Sequence, residues 1–275
     1  MDVGNKDVPC LDEQSLSAAQ VCYDVAQCLW RLDEGPSLLS DGLNGPRSLN
    51  CHPRFVALAC CEIASRAEAA PMSFYQHYFL PRLIDLAMRN KQTAHLRSTW
   101  IPRARGEVLE VGIGSGLNLA FYSSQVQRVY GVDPSVELQE MARKRLTGPI
   151  HVEFFSQSAE EPLPLANASI DTVVLTWTLC SIPDAPKALQ QLKRVLRTNG
   201  RLIFLEHGRA PDSGVVAWQN RLTPIWKRIA GGCQLNRKID ELIKAAGFQI
   251  AELKTCYLPG PRPMTYTYQG VAHLG

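Results

Sequence analysis

The chain has 275 residues, is 45% apolar and carries a net charge of only +3, which allows one large domain or two small ones around a sizeable core. The charge is uneven: residues 1–71 hold five Lys/Arg against ten Asp/Glu, whereas residues 72–275 hold 24 against 16. That mildly basic body suits peripheral contact with an anionic membrane surface or an anionic substrate, but it lacks the dense basic stripe of a nucleic-acid binder, so no nucleic-acid partner is expected.

Nine cysteines, an odd number with no C-x-x-C spacing, argue against a disulfide framework and for reduced, mostly packed thiols. The six histidines form no H-x-x-x-H pattern or Cys/His cluster along the chain, so no metal site is expected. No apolar run reaches the ~18 residues of a spanning helix, and the acidic start lacks a long apolar stretch. A cytoplasmic location is the expectation that follows.

Residues 1–71 are cut into short pieces by Gly35-Pro36, Gly45-Pro46 and His52-Pro53. Helices are predicted over 15–32 and 55–69. With six of the nine cysteines and the opposite charge, this segment reads as an N-terminal appendage, with disorder left open. Residues 72–275 then form the main domain, which Met72 would open. From Ser73, apolar residues recur at helical spacing through residue 97, with Pro81 as a break; this aromatic-rich pair packs on the domain or lids a pocket.

Alternation follows. Strands are predicted at 107–111, 128–132, 150–155, 170–176 and 201–206, with helices at 116–124, 135–146 and 184–197 between them. Residues 213–234, with Trp218, Trp226 and Gly231-Gly232, read as an irregular insert. A helix at 236–246 stops at Gly247, and two strands, 248–256 and 264–274, end the chain. The pattern predicts an α/β fold: a Rossmann-like, doubly wound sheet, mostly parallel with one antiparallel edge strand.

The chain is organised around Glu107 to Gly116, where a strand runs into Gly112, Gly114 and Gly116. Such a turn lets a backbone approach a ligand closely, and a following helix would add its unpaired N–H groups. A dinucleotide fingerprint would place its third glycine where Leu117 stands. Glu110 precedes the turn, where a carboxylate can receive a cationic amino group. Asp133, after the second strand, can accept from both hydroxyls of a ribose.

The run Glu110-Val-Gly-Ile-Gly-Ser-Gly116, then Gly131-Val-Asp133-Pro-Ser, Ser158-Ala-Glu-Glu-Pro-Leu-Pro164, Ile170 to Thr176 and Leu192 to Gly200 resembles the successive motifs of class I S-adenosylmethionine-dependent methyltransferases, of the ubiquinone/menaquinone group. A shorter similarity, through Leu205-Glu-His207, the stretch to Trp226 and Gly232 to Arg237, resembles the methyltransferase-like thiol S-methyltransferases and their bacterial relatives. The resemblance implies S-adenosylmethionine as cofactor. It places Gly112, Gly114 and Gly116 along the methionine part, Glu110 at that end, Asp133 on the ribose, and Pro134, Ser158, Ala159 and Glu160 around the adenine. Thr176 faces the methionine moiety. Ser158 departs from the family's frequent Asp, and a hydroxyl accepts more weakly than a carboxylate.

Residues past the strand ends are candidates for the acceptor side: Trp177, Cys180 and Ser181 after the fourth strand, Glu206 and His207 after the fifth. His207 is the natural titrating group at neutral pH, with Glu206 beside it. Trp177, Trp218 and Trp226 are candidates to wall an apolar pocket, and simple packing explains them equally well. The expected activity is methyl transfer to a small, apolar acceptor, with a thiol narrowly favoured. A quinone-like phenol or carbon, or a phospholipid amine, is the enzymatic alternative. A non-catalytic cofactor-binding scaffold is the alternative of another class.

Overall fold

The computed structural model describes residues 75–275. The appendage and the helices predicted at 15–32 and 55–69 lie outside the described residues. Seven strands form a single sheet: β1 (Gly106–Val111), β2 (Val126–Val132), β3 (His151–Phe155), β4 (Ile170–Thr176), β5 (Leu196–His207), β6 (Phe248–Tyr257) and β7 (Tyr266–Leu274). Their order is β3-β2-β1-β4-β5-β7-β6. The first five pair in parallel, and β7 runs antiparallel to both β5 and β6. The expected doubly wound sheet is thus present, with a β6–β7 hairpin bringing antiparallel pairing to one edge.

Alternation of side chains sorts the apolar residues onto two faces. Leu109, Val111, Leu175, Leu202 and Phe204 pack on one side with α4 (Ala185–Val195), while Val108, Val129, Val174, Ile203 and Leu205 pack on the other with Trp100 and Ile101. Each fully buried side chain of this size contributes roughly 1.5–3 kcal/mol of transfer free energy. The connections explain the parallel order: α3 (Val136–Arg145) joins β2 to β3, and α4 joins β4 to β5. Ser135 caps α3 by accepting from the Leu138 N–H, and Asp184 caps α4 by accepting from that of Lys187.

Four expectations need correction. The predicted helix at 116–124 is only a 3₁₀ turn, Leu119–Phe121. Asn118 turns inward to bond Glu110 and Thr176, and Tyr122 leaves the helical region (φ −66°, ψ 135°) to bring its hydroxyl to Glu110. Those buried polar bonds outweigh local helix propensity, so the glycine turn has no long helix dipole behind it. Residues 213–234 are not irregular: α5 (Ser213–Ile229) is a 17-residue helix containing Pro224. Buried Val216, Gln219 and Thr223 line one side, and Gln219 ties the helix to Gly208, Ala210 and Pro263.

Pro81 lies in the first turn of α1 (Leu80–Met88), which follows a π turn at Tyr75–Phe79. The break before α2 (Lys91–Trp100) comes instead at Asn90, whose side chain caps α2 through the Thr93 N–H. Finally, β5 begins at Leu196 rather than 201, pairing with Ile170 before the register shifts and Arg201 meets Thr172. The last helix, α6 (Ile239–Ala245), ends at Gly247 in the left-handed region as expected. Among the described residues no helix is long and apolar enough to cross a membrane.

Candidate active site

A pocket of about 930 Å³ opens beyond the C-terminal ends of β1, β2, β4 and β5, where open parallel sheets bind their ligands. One end is built on β1. Glu110 is 1% exposed and accepts from Asn118 Nδ2 (2.8 Å) and the Tyr122 hydroxyl (2.7 Å). Asn118 Nδ2 also donates to Thr176 Oγ1 (2.9 Å), and its Oδ1 accepts from Arg97 Nε (3.0 Å). Arg97 stacks over Trp177, 4.8 Å from the ring centre. Burial pushes the Glu110 carboxyl up to about 7 despite Tyr122, Asn118 and Arg97 favouring its charge. Burial also brings the Arg97 guanidinium down to about 10, although Glu110 favours its charged form. At the pocket wall the Arg97 cation therefore stands, bridged by Asn118, beside a Glu110 carboxyl that keeps its proton up to about pH 7.

The glycine turn comes next. All three glycines have positive φ, but they do different things. A Cβ on Gly112 would collide with Thr178, and one on Gly116 would press on Leu119 and Ala142. A Cβ on Gly114 would meet only the Gly112 carbonyl, at 3.8 Å, and would enter the pocket itself. Gly114 therefore bares backbone to a ligand, while Gly116 permits tight packing and does not line the pocket.

Asp133, at the end of β2, accepts from Gly114 N on Oδ2 (3.0 Å) and from Ser135 N on Oδ1 (2.8 Å). Burial raises its carboxyl, against these two backbone donors. A carboxylate offers about four acceptor positions, so two remain for a ligand's hydroxyls. Pro134, Ser158 and Ala159 complete this part of the wall. Glu160 does not reach it. Its carboxylate accepts from the Ser158 hydroxyl (2.8 Å) and from Asp184 N (2.5 Å), so Glu160 organises the loop rather than facing the pocket.

Helix α1 covers the turn with Leu80, Ile84, Ala87 and Met88. Tyr78 and Phe79 of the preceding π turn and Leu83 and Leu86 of α1 are exposed, so the covering face is aliphatic, not aromatic. A charged latch holds the helix down. Buried Asp85 accepts from the Ser115 hydroxyl (2.6 Å) and pairs with Arg145 (2.7 Å) of α3 and with Arg89 (2.5 Å).

The other end of the pocket lies past β4 and β5, and here the candidates separate. Adjacent residues of a strand point to opposite faces. His207 lines the pocket; Glu206 does not. Glu206 is fully buried and accepts from the backbone N–H groups of Thr178, Leu179 and Cys180. Burial raises it to about 7, against those three donors. Its observed task is to hold the loop after β4, so the expected catalytic role finds no support in its position.

Around His207 stand two thiols, Cys180, an acceptor-side candidate in the sequence, and Cys233. Cys180 and Cys233 offer sulfur atoms that, with a His207 ring nitrogen, all lie within 4.8 Å of one another. His207 Nδ1 is 3.7 Å from Cys233 Sγ, and buried Nε2 has no hydrogen-bond partner. The bond between the thiols pushes Cys180 well up, as does burial, and favours ionisation of Cys233. Trp177, held at φ 52°, and Trp226 line the pocket, whereas Trp218 is 56% exposed on the outer face of α5.

Strand order, glycine turn and acid after β2 define a Rossmann-like domain built for an adenosyl-type cofactor with an amino-acid tail. The residues fit such a ligand: Gly114 leaves a cradle, Asp133 keeps two acceptor positions, and Arg97 and Glu110 offer opposite charges to a carboxylate and an ammonium. Comparison with known proteins agrees. The methyltransferase-domain family matches residues 109–204. Human thiol S-methyltransferase TMT1A is 33% identical over 177 residues, covering 61% of this chain and 71% of that protein. Rat thiol S-methyltransferase TMT1B is 36% identical over 151 residues, 54% of this chain and 62% of that protein, so the chain spans about three fifths of that relative's length. A SAM-dependent methyltransferase from Aquifex aeolicus shares the fold with a TM-score of 0.51, at 16% identity over 72% of this chain and 100% of that one. The chain belongs to the S-adenosylmethionine-dependent methyltransferases, whose cofactor is S-adenosylmethionine.

Arg97, Asn118, Asp85 and Cys233 were not legible as site residues. For Asp85 a local signal existed: it lies four residues after Pro81 on the same helical face, and both are buried.

Proposed function

We propose that the protein methylates a small, apolar thiol. The observation that carries this reading is the relatedness to human thiol S-methyltransferase TMT1A across 71% of that protein. The pocket supports it, because the end past β4 and β5 sets Trp177, Trp226, Leu258 and Met264 as apolar wall beside His207 and the two thiols.

Bound S-adenosylmethionine supplies a methyl group made electrophilic by its sulfonium. The chain's own residues bind and align. Asp133 accepts from the ribose hydroxyls, Gly114 bares its backbone, and Pro134, Ser158 and Ala159 flank the adenine. Arg97 pairs with the carboxylate and Glu110 attracts the ammonium. Helix α1 excludes water from above, and the tryptophans place the acceptor in line; alignment at near-attack distance supplies most of what this displacement needs. A thiol ionises near ~8.5, so a minor fraction is already thiolate at neutral pH and only modest help is required. Cys180, His207 and Cys233 line the pocket and are placed to give that help, whereas Glu206 is held by backbone N–H groups.

The test is a turnover screen with labelled S-adenosylmethionine across aliphatic thiols, phenols, quinols and phospholipids. Labelled thioether from the thiols is the expected product. Turnover confined to phenols, quinols or phospholipid amines would overturn the thiol reading, and cofactor binding with no turnover would mark a scaffold.

A further inference from the structure

Three soft or borderline donors from three separate segments converge at the acceptor end. Cys180 comes from the loop after β4, His207 ends β5, and Cys233 follows α5. Their donor atoms lie within 4.8 Å of one another, and the measured pair, His207 Nδ1 to Cys233 Sγ, is 3.7 Å apart. A tetrahedral zinc ion with bonds of about 2.3 Å to sulfur and 2.0–2.1 Å to nitrogen sets its ligand atoms roughly 3.6–3.8 Å apart. The cluster needs little closure to reach that geometry.

The frame around it is rigid. Glu206 fixes the backbone of residues 178–180. Arg237 binds the carbonyls of Leu179, Ile182 and Pro183. Gln234 N donates to the Cys180 carbonyl (3.0 Å), clamping the two cysteine loops together. Gly232, at φ 87°, allows the close approach: a Cβ there would sit 2.9 Å from the Ser181 carbonyl oxygen. All three donor residues line the pocket and are the cluster's only donors among the described residues, leaving a fourth coordination position for a ligand from the pocket side. Two thiolates and one imidazole with an open fourth position form a donor set used by catalytic zinc.

We propose that Cys180, His207 and Cys233 bind a zinc-class divalent cation whose open position takes the sulfur of the acceptor. Metal binding displaces the protons of the two cysteine thiols to solvent. The incoming thiol likewise loses its proton to solvent and binds as thiolate. Its sulfur then forms the bond to the methyl carbon, the carbon–sulfonium bond breaks, and that electron pair stays on the cofactor sulfur. The thioether product is neutral and a weaker ligand, so it leaves. In this arrangement His207 is a ligand rather than a general base. The catalytic part rests on the thiol reading above; the metal site does not.

The test uses the full, reduced chain, stripped of metal and titrated with cobalt(II), with no cofactor or acceptor present. A thiolate-to-cobalt charge-transfer band saturating at one equivalent, and bleached by added zinc, is expected. C180S and C233S should each lower that band to about half, and the double variant should bring it to background, since the band reports metal–thiolate bonds. Binding of S-adenosylhomocysteine at the other end of the pocket monitors folding of the variants. No band, or a band equally strong in the double variant and therefore owed to the other cysteines, would overturn the site. Methylation of thiols by zinc-free enzyme at the zinc-loaded rate would overturn its catalytic part. A saturable band without thiol turnover would sink the thiol reading and leave the metal site standing.

Discussion

Adding one methyl group at Gly114 and at Gly116 separates two functions of the same turn. At Gly114 an alanine Cβ meets no protein atom closer than 3.8 Å, so the folded state bears only the left-handed backbone, φ 53°, at a cost of about 1–2 kcal/mol. The new methyl projects into the cofactor cradle. Overpacking against a bound ligand there should cost about 1–3 kcal/mol more, roughly a 5- to 150-fold weaker affinity. At Gly116 the Cβ would lie 2.8 Å from Leu119 and 2.9 Å from Ala142, at φ 77°. That strain falls on the fold and should exceed the stability loss at Gly114, while cofactor affinity in the remaining folded protein changes little. Thermal melts give the stabilities, and calorimetry with S-adenosylhomocysteine below the melting range gives the affinities. If Gly116→Ala weakens binding as much as Gly114→Ala, the division of labour within the turn is wrong.

Three further outcomes follow from the site. Asp133→Ala removes a charged acceptor from the ribose position and should weaken S-adenosylhomocysteine by about 1–3 kcal/mol; unchanged affinity by calorimetry would take Asp133 out of the site. Asp85→Asn breaks the charge pairing of α1 with Arg145 and Arg89, and should lower the melting temperature and quicken cofactor dissociation in stopped-flow traces. Glu110 keeps its proton up to about pH 7 in the folded chain but loses it near 4.5 when unfolded. Its contribution is therefore fully present below pH 4.5 and fades as pH rises to 7, by about 3 kcal/mol. Glu206 behaves alike, so Glu110→Gln should remove about half of that decline in urea-denaturation free energy; an unaltered slope would refute the assignment.

The central strands were legible because β1, β4 and β5 are buried on both faces and read as apolar runs, whereas β3 and β6 are half exposed and were read from alternation with helices and turns. The cofactor end was legible wherever chemistry sat within a few residues of a strand end, as for Glu110, Gly114 and Asp133. What escaped was set by distance along the chain. Arg97 and Asn118 meet through a 21-residue separation, and nothing near either announces it. Cys180 and Cys233 are 53 positions apart, so no spacing rule could join them with His207. Two errors were local and avoidable. Glu206 and His207 are neighbours on a strand whose side chains point to opposite faces, and only His207 lines the pocket. Asn118 at the head of a supposed helix is a residue that prefers to bond backbone or buried carboxylate elsewhere.

The two ends of the pocket draw on different stretches of the chain. The match to the methyltransferase-domain family stops at residue 204, just after the elements that grip the donor. His207, Trp226, Cys233, Met264 and Thr267 all come later, from the end of β5, from α5 and the loop after it, and from a hairpin whose returning strand re-enters beside β5. Substitutions in that later stretch can reshape the acceptor's surroundings while the donor grip stays intact. The acceptor's surroundings can therefore vary through these residues without touching Glu110, Gly114 or Asp133.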